Sequence, residues 1–102
     1  MNIDTINWHG TQVHRIVESI ESSTLTFEVD YPSGDLDDKY SPARIVFEDV
    51  ATCRIQEGAC APPLVILDAS LCGAEFGRSI VRLETGWGYR DIECKNVRVE
   101  KP

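Results

Sequence analysis

Histidine is scarce in this chain of 102 residues: only His9 and His14 occur, and none of the four cysteines forms a Cys-x-x-Cys pair. A zinc site draws thiolates and imidazoles together at short spacing, and the sequence offers no such set. In an extended strand, His9 and His14 would face opposite sides. No serine stands in a Gly-x-Ser-x-Gly elbow. Gly86-Trp87-Gly88 lacks the third glycine and the following helix of a phosphate cradle. Covalent catalysis needs a nucleophile, a base and an orienting group within reach, and no spacing here favours such a set. The chain reads as non-enzymatic, with no catalytic residue, no metal and no cofactor.

Long apolar runs are also missing. No stretch approaches the ~18 residues of a membrane span. The opening Met1-Asn2-Ile3-Asp4-Thr5-Ile6-Asn7 has neither the basic start nor the apolar stretch of a secretory signal. The expected compartment is cytoplasmic, where thiols stay reduced. Cys53, Cys60, Cys72 and Cys94 then serve as small apolar core or edge residues. Cys53 and Cys60, flanking one short loop, are the pair best placed for a disulfide.

Positive charge is in short supply. Ten Lys and Arg stand against 17 Asp and Glu, for a formal net charge of −7. Such an excess is repelled by a phosphate backbone and by an anionic bilayer, which argues against nucleic-acid and membrane partners. It keeps a small protein soluble and steers a basic partner towards it. Asp35, Asp37 and Asp38 resemble half of a calcium loop. Their glycine precedes them and the closing glutamate is absent, so they read as a solvated loop tip.

What the sequence does contain is a period of two, over a length suited to one domain, residues 1–102. Leu25, Phe27, Val29 and Tyr31 alternate with Thr24, Thr26, Glu28 and Asp30, which predicts a strand with one dry face. Gln12 to Ile20 is rich in β-branched residues and reads as a bulged strand, with Glu21-Ser22-Ser23 as the turn between the two. Residues 32–42 form a long loop. Ala43 to Val50 is a strand with Ile45 and Phe47 inward. Its parity slips near Asp49, marking a bulge or an end, and Ala51 to Gln56 extends it. Leu64 to Leu67 reads as a short strand buried on both faces. Asp68 to Phe76 reads as a short helix capped by Asp68, with Leu71, Cys72 and Phe76 on one face. Arg78–Thr85 and Tyr89–Cys94 form a hairpin around Gly86-Trp87-Gly88. A turn or bulge at Lys95-Asn96 restores register for Val97 and Val99. The fold class is mainly β: an antiparallel sandwich or partly open barrel of about six to eight strands with at most one short helix.

Two tryptophans are informative. Trp8, just before the first strand, is expected to plug one end of the sheet. Trp87, at a turn tip, either folds back over the sheet or projects as an anchor for a partner. With Tyr89 and Arg90 it makes a group of residue types common at interface hot spots. The candidate partner-binding residues are Asp35, Asp37, Asp38, Trp87, Tyr89 and Arg90.

Trp8-His9 ahead of the first strand, and Leu83-x-Thr85-x-x-Gly88-x-Arg90-x-Ile92-x-Cys94 followed by a valine-rich strand, resemble a loose set of small uncharacterised bacterial all-β domains. Gly10 stands where an acidic residue is more usual in that set. Some such domains occur near polymorphic toxin genes and are taken to be immunity proteins. The resemblance implies a non-enzymatic, partner-binding protein. The expected function is therefore a protein-interaction module, of the immunity type, that inhibits a basic partner. The alternative is a small-molecule-binding β-domain. Exposed edge strands also permit a homodimer.

Overall fold

In the computed structural model, which describes residues 1–32, 40–58 and 61–101, the alternating segments form eight strands and, among the described residues, no helix. They are β1 (Thr11–Ser19), β2 (Thr24–Pro32), β3 (Tyr40–Glu48), β4 (Thr52–Glu57), β5 (Leu64–Glu75), β6 (Arg78–Thr85), β7 (Gly88–Cys94) and β8 (Asn96–Glu100). All pairings are antiparallel, in the order β4-β7-β6-β5-β1-β2-β3-β8.

The two ends of that order are joined by the chain itself. β3 runs into β4 through Asp49–Ala51, and β7 runs into β8 through Lys95. β3 pairs with β8 and β4 pairs with β7, so the four strands make one antiparallel ribbon bent at a corner. One end of the ribbon joins β2 and the other joins β6. The sheet thus curls back on itself as a partly open barrel. The weakest seam lies between β1 and β5, where pairing is confined to Thr11–Val13 against Leu64–Ile66.

The slips of parity expected near Asp49 and Lys95 are these corners. Asp49 has a φ of 54°, a left-handed value tolerated by Asp. Backbone bonds from Val50 N to Ser23 O (2.8 Å), Ala51 N to Glu93 O (2.8 Å) and Lys95 N to Glu48 O (3.0 Å) satisfy the bend. Arg78 donates to the Asp49 carbonyl (3.1 Å) and carboxylate (3.0 Å), and Lys95 Nζ lies 3.2 Å from the same carboxylate. The hydrogen bond from Arg78, then that from Lys95, holds the Asp49 carboxyl below the ordinary aspartate range.

The inner face is dry. Leu25, Phe27 and Val29 of β2 and Ile45 and Phe47 of β3 are buried as their alternation requires. Phe27 and Phe47 pack tilted with ring centroids 5.2 Å apart, and the Trp8 ring lies 6.3 Å from Phe47. Trp8 is buried at the end of the sheet and its Nε1 donates to Ile3 O at 2.9 Å, so the plug brings its own polar partner. Ile66, Val81, Leu83, Ile92 and Cys94 fill the rest. Burying each large apolar side chain contributes roughly 1.5–3 kcal/mol. Val46 points outward yet is buried, because Thr26 and Arg98 oppose it on the neighbouring strands.

The expected helix over Asp68–Phe76 is instead the distal part of β5, a strand of 12 residues. Two bulges, between Ile66 and Asp68 and between Leu71 and Gly73, each insert one residue opposite β6. Through the register, Leu64, Ile66, Ala69, Leu71 and Ala74 fall on one face, at alternating intervals of two and three. The helical face expected from Leu71, Cys72 and Phe76 is made instead by a bulge and a turn, for Cys72 is the residue inserted at the second bulge and Phe76 lies beyond the end of the strand. The first bulge also corrects the reading of Leu64–Leu67 as buried on both faces, since Leu67 is exposed.

β5 turns into β6 through Phe76-Gly77, a two-residue loop closed by the Glu75–Arg78 pair. Phe76 has φ 50° and Gly77 φ 77°, the pattern of a type I′ turn. A bulky residue is disfavoured there, and Phe76 is 89% exposed, so no burial offsets the strain. Phe76→Asn is expected to raise stability by about 1 kcal/mol. Urea denaturation checks it; a lower midpoint would contradict this account of the turn.

Candidate functional site

The sheet distributes charge unevenly over its outer face, and the register explains how. Across β1, β2, β3 and β8, one row reads Arg15, Glu28, Arg44, Glu100, alternating in sign from strand to strand. Arg15 lies 3.2 Å from Glu28 and Arg44 lies 3.6 Å from Glu100. His14 stands 2.8 Å from Asp30, and Arg98 contacts both Glu48 and Glu100. Charge on this half is locally compensated.

The half formed by β5, β6, β7 and β4 differs. Arg82 binds Asp91 through two hydrogen bonds, 2.8 and 2.9 Å, and lies 4.2 Å over the Tyr89 ring. The hydrogen bond from Arg82 keeps the Asp91 carboxyl below its ordinary range. In the adjoining row Asp68 on β5 stands directly opposite Glu84 on β6, with Tyr89 on the far side of Glu84. Neither carboxylate makes an ion pair among the described residues. Among the described residues Asp68 accepts only from the Ala69 backbone N, at 2.8 Å. Asp68 also borders an open depression that Asp4, Asn7 and His9 line, and the exposed Leu67 precedes it in the chain. His9 is turned to the backbone, its Nδ1 donating to Leu67 O at 2.8 Å.

Of the sequence-derived candidates, the described ones, Trp87, Tyr89 and Arg90, do not share one face. Asp35, Asp37 and Asp38 lie outside the described residues, as does Cys60 with its expected pairing to Cys53. Trp87 is half-buried, folded back against the core beside Val13, Ile16, Pro62 and Leu64. Tyr89 faces outward with Glu84. Arg90 faces the barrel interior opposite Leu83 and binds Glu57 through two hydrogen bonds, 3.0 and 2.7 Å. Glu57 also accepts from Thr85 Oγ1 at 3.0 Å. The Glu57 and Arg90 side chains are 6% and 13% exposed. Burial pushes the Glu57 carboxyl up, but hydrogen bonds from Arg90 and Thr85 outweigh it and leave the group below its ordinary value. Arg90 is therefore committed inside the fold. Asp68 and Glu84 were missed because their opposition exists only once β5 and β6 are in register.

Cys94 is buried and its thiol is pushed up to about 11 by burial. Desolvation also raises the Cys53 thiol, so neither favours the reactive thiolate. Among the described residues no group of three or more His, Cys, Asp or Glu is placed to hold a metal. The barrel interior is filled by side chains, and among the described residues the larger concavities are open grooves such as that of about 510 Å³ lined by His14, Glu28, Pro42 and Arg44 on β1, β2 and β3. Among the described residues no helix is long and apolar enough to cross a membrane. No protein-family model, no curated protein and no solved structure matches the chain.

Proposed function

We propose that this protein is a non-enzymatic interaction module that inhibits a basic protein partner, in the manner of an immunity protein, through the outer face bearing Asp68 and Glu84. The observation that carries the reading is their direct opposition across β5 and β6 without an ion pair to either among the described residues. Like charges facing each other across strands destabilise a sheet by roughly 0.2–1 kcal/mol. A lysine or arginine from a partner relieves that repulsion, so a local cost of folding becomes a gain on binding. Leu67 adds an exposed apolar contact beside Asp68, and the net charge of −7 steers a cationic partner from a distance.

The test uses a lysine-rich peptide as probe. Binding to the parent is expected to weaken as salt rises, because exposed charges are screened beyond about 8–10 Å at physiological ionic strength. The double variant Asp68→Lys, Glu84→Lys is expected to lose binding about tenfold or more while keeping its thermal midpoint. Binding that ignores both salt and the charge reversal would reject this face.

A further inference from the structure

The eight-stranded sheet ends on β4 and β8, each paired on one side only among the described residues. An unpaired edge is a template for another strand unless charge, proline or a bulge blocks it. β8 is blocked: Arg98 and Glu100 stand on it within an ion-pair network, and Lys95 and Lys101 flank it. β4 has no such protection. Its six residues pair with β7 in unbroken register, and it contains no proline. Ile55 is 57% exposed and Ile20, at the neighbouring β1–β2 turn, is 86% exposed. Glu57 is spent on Arg90, which leaves Arg54 as the one β4 charge without an ion pair among the described residues.

The phase of the ladder tells which backbone groups are free. Gly58 N donates to Trp87 O at 3.0 Å, the next rung beyond Glu57 opposite Gly88. Antiparallel rungs alternate between hydrogen-bonded and open pairs. Thr52, Arg54 and Gln56 therefore turn their N–H and C=O towards β7. Cys53, Ile55 and Glu57 turn theirs towards the open edge.

We propose that β4 pairs with β4 of a second copy of this chain, antiparallel, about a two-fold axis through Ile55. In that register Ile55 faces Ile55, Cys53 faces Glu57 and Arg54 faces Gln56 across the axis. Every free edge group from Cys53 to Glu57 gains a partner, and inner-face residues meet inner-face residues. Moving the axis to Arg54 would set two arginines against each other, a like-charge opposition that excludes it. The edge is self-complementary where the rest of the molecule, at −7, repels its own copy. Dimerisation therefore strengthens with salt, the reverse of the dependence at Asp68 and Glu84.

Sedimentation of the whole chain from about 1 µM to about 1 mM covers weak to moderate association. A dimer is expected, with a Kd that tightens as salt is added. Ile55→Lys brings two ammonium groups to the axis and raises the Kd about tenfold or more. Ile55→Pro removes an N–H that faces the open edge and spares the β7 ladder, so it should disrupt the dimer without unfolding the chain. Ile55→Cys, with Cys53, Cys60 and Cys72 changed to serine, should oxidise to a covalent dimer, since residues across such a rung lie about 5.5 Å apart. A parent that stays monomeric throughout, or a dimer indifferent to both Ile55→Lys and Ile55→Pro, overturns the proposal. Binding of the basic probe would be untouched by either result, so the two readings fail separately.

Discussion

Arg90→Ala is expected to destabilise the domain by about 3 kcal/mol at neutral pH, because it strands the Glu57 carboxylate inside the barrel without its counter-charge. Glu57 is 6% exposed and Arg90 13%, so solvent does little to replace the lost bonds. Thr85 alone cannot neutralise the carboxylate. The combined change Glu57→Leu with Arg90→Met should cost much less than Arg90→Ala, since breaking a buried pair is worse than replacing it with apolar groups. Urea denaturation of the three proteins decides the matter. Equal losses in the two variants would mean that the pair does no more than fill space.

The same pair gives a pH signature. In the parent, the folded-state value of Glu57 lies below its ordinary 4.5. Its contribution is complete above that value and is lost as pH falls through the depressed folded value. Without Arg90 the sign reverses. Burial then raises the folded value above the unfolded one, and stability falls as pH rises through the ordinary glutamate range. The gap between parent and Arg90→Ala should therefore narrow on acidification below about pH 4.5, the ordinary value. A gap that is constant with pH would rule out Glu57 as the stranded charge.

Gly88→Ala is the second large effect. Gly88 has a φ of 150°, and a Cβ there would lie 2.1 Å from the Gln56 carbonyl oxygen and 3.0 Å from Glu57 Cα. Both obstacles are backbone, so no rotamer change relieves them. Relief requires β4 to move off β7, the one strand it pairs with. The expected loss is about 3 kcal/mol, combining strain with overpacking. Amide exchange should accelerate first at Thr52, Arg54 and Gln56, whose N–H groups face β7. Gly86→Ala is the control: a Cβ there meets nothing within 4 Å, and its effect should stay within about 0.5 kcal/mol. Comparable losses at both positions would refute the steric account.

The amino-acid sequence by itself determined the class of fold, because a strand with one wet and one dry side writes its period directly into the chain. Leu25, Phe27, Val29, Ile45, Phe47, Ile92 and Cys94 are buried as their alternation implies. The breaks at Asp49 and Lys95 were legible for the same reason, since a corner interrupts the period. Trp8 as a buried plug was legible from its size and its place before the first strand.

Tertiary structure decided what depends on more than one strand. The distal part of β5 reads as a helix in the sequence because Leu71, Cys72 and Phe76 fit a helical face, and the bulge at Cys72 that explains the spacing is defined only by the partner strand. The opposition of Asp68 to Glu84, the enclosure of Arg90 with Glu57, and the return of Trp87 to the core all join residues distant in the chain. The closing of the ribbon, and hence which strands are left as edges, is likewise a matter of pairing. Period reports which side a residue faces, whereas its neighbours across the sheet are set by register, and register is chosen by the fold as a whole.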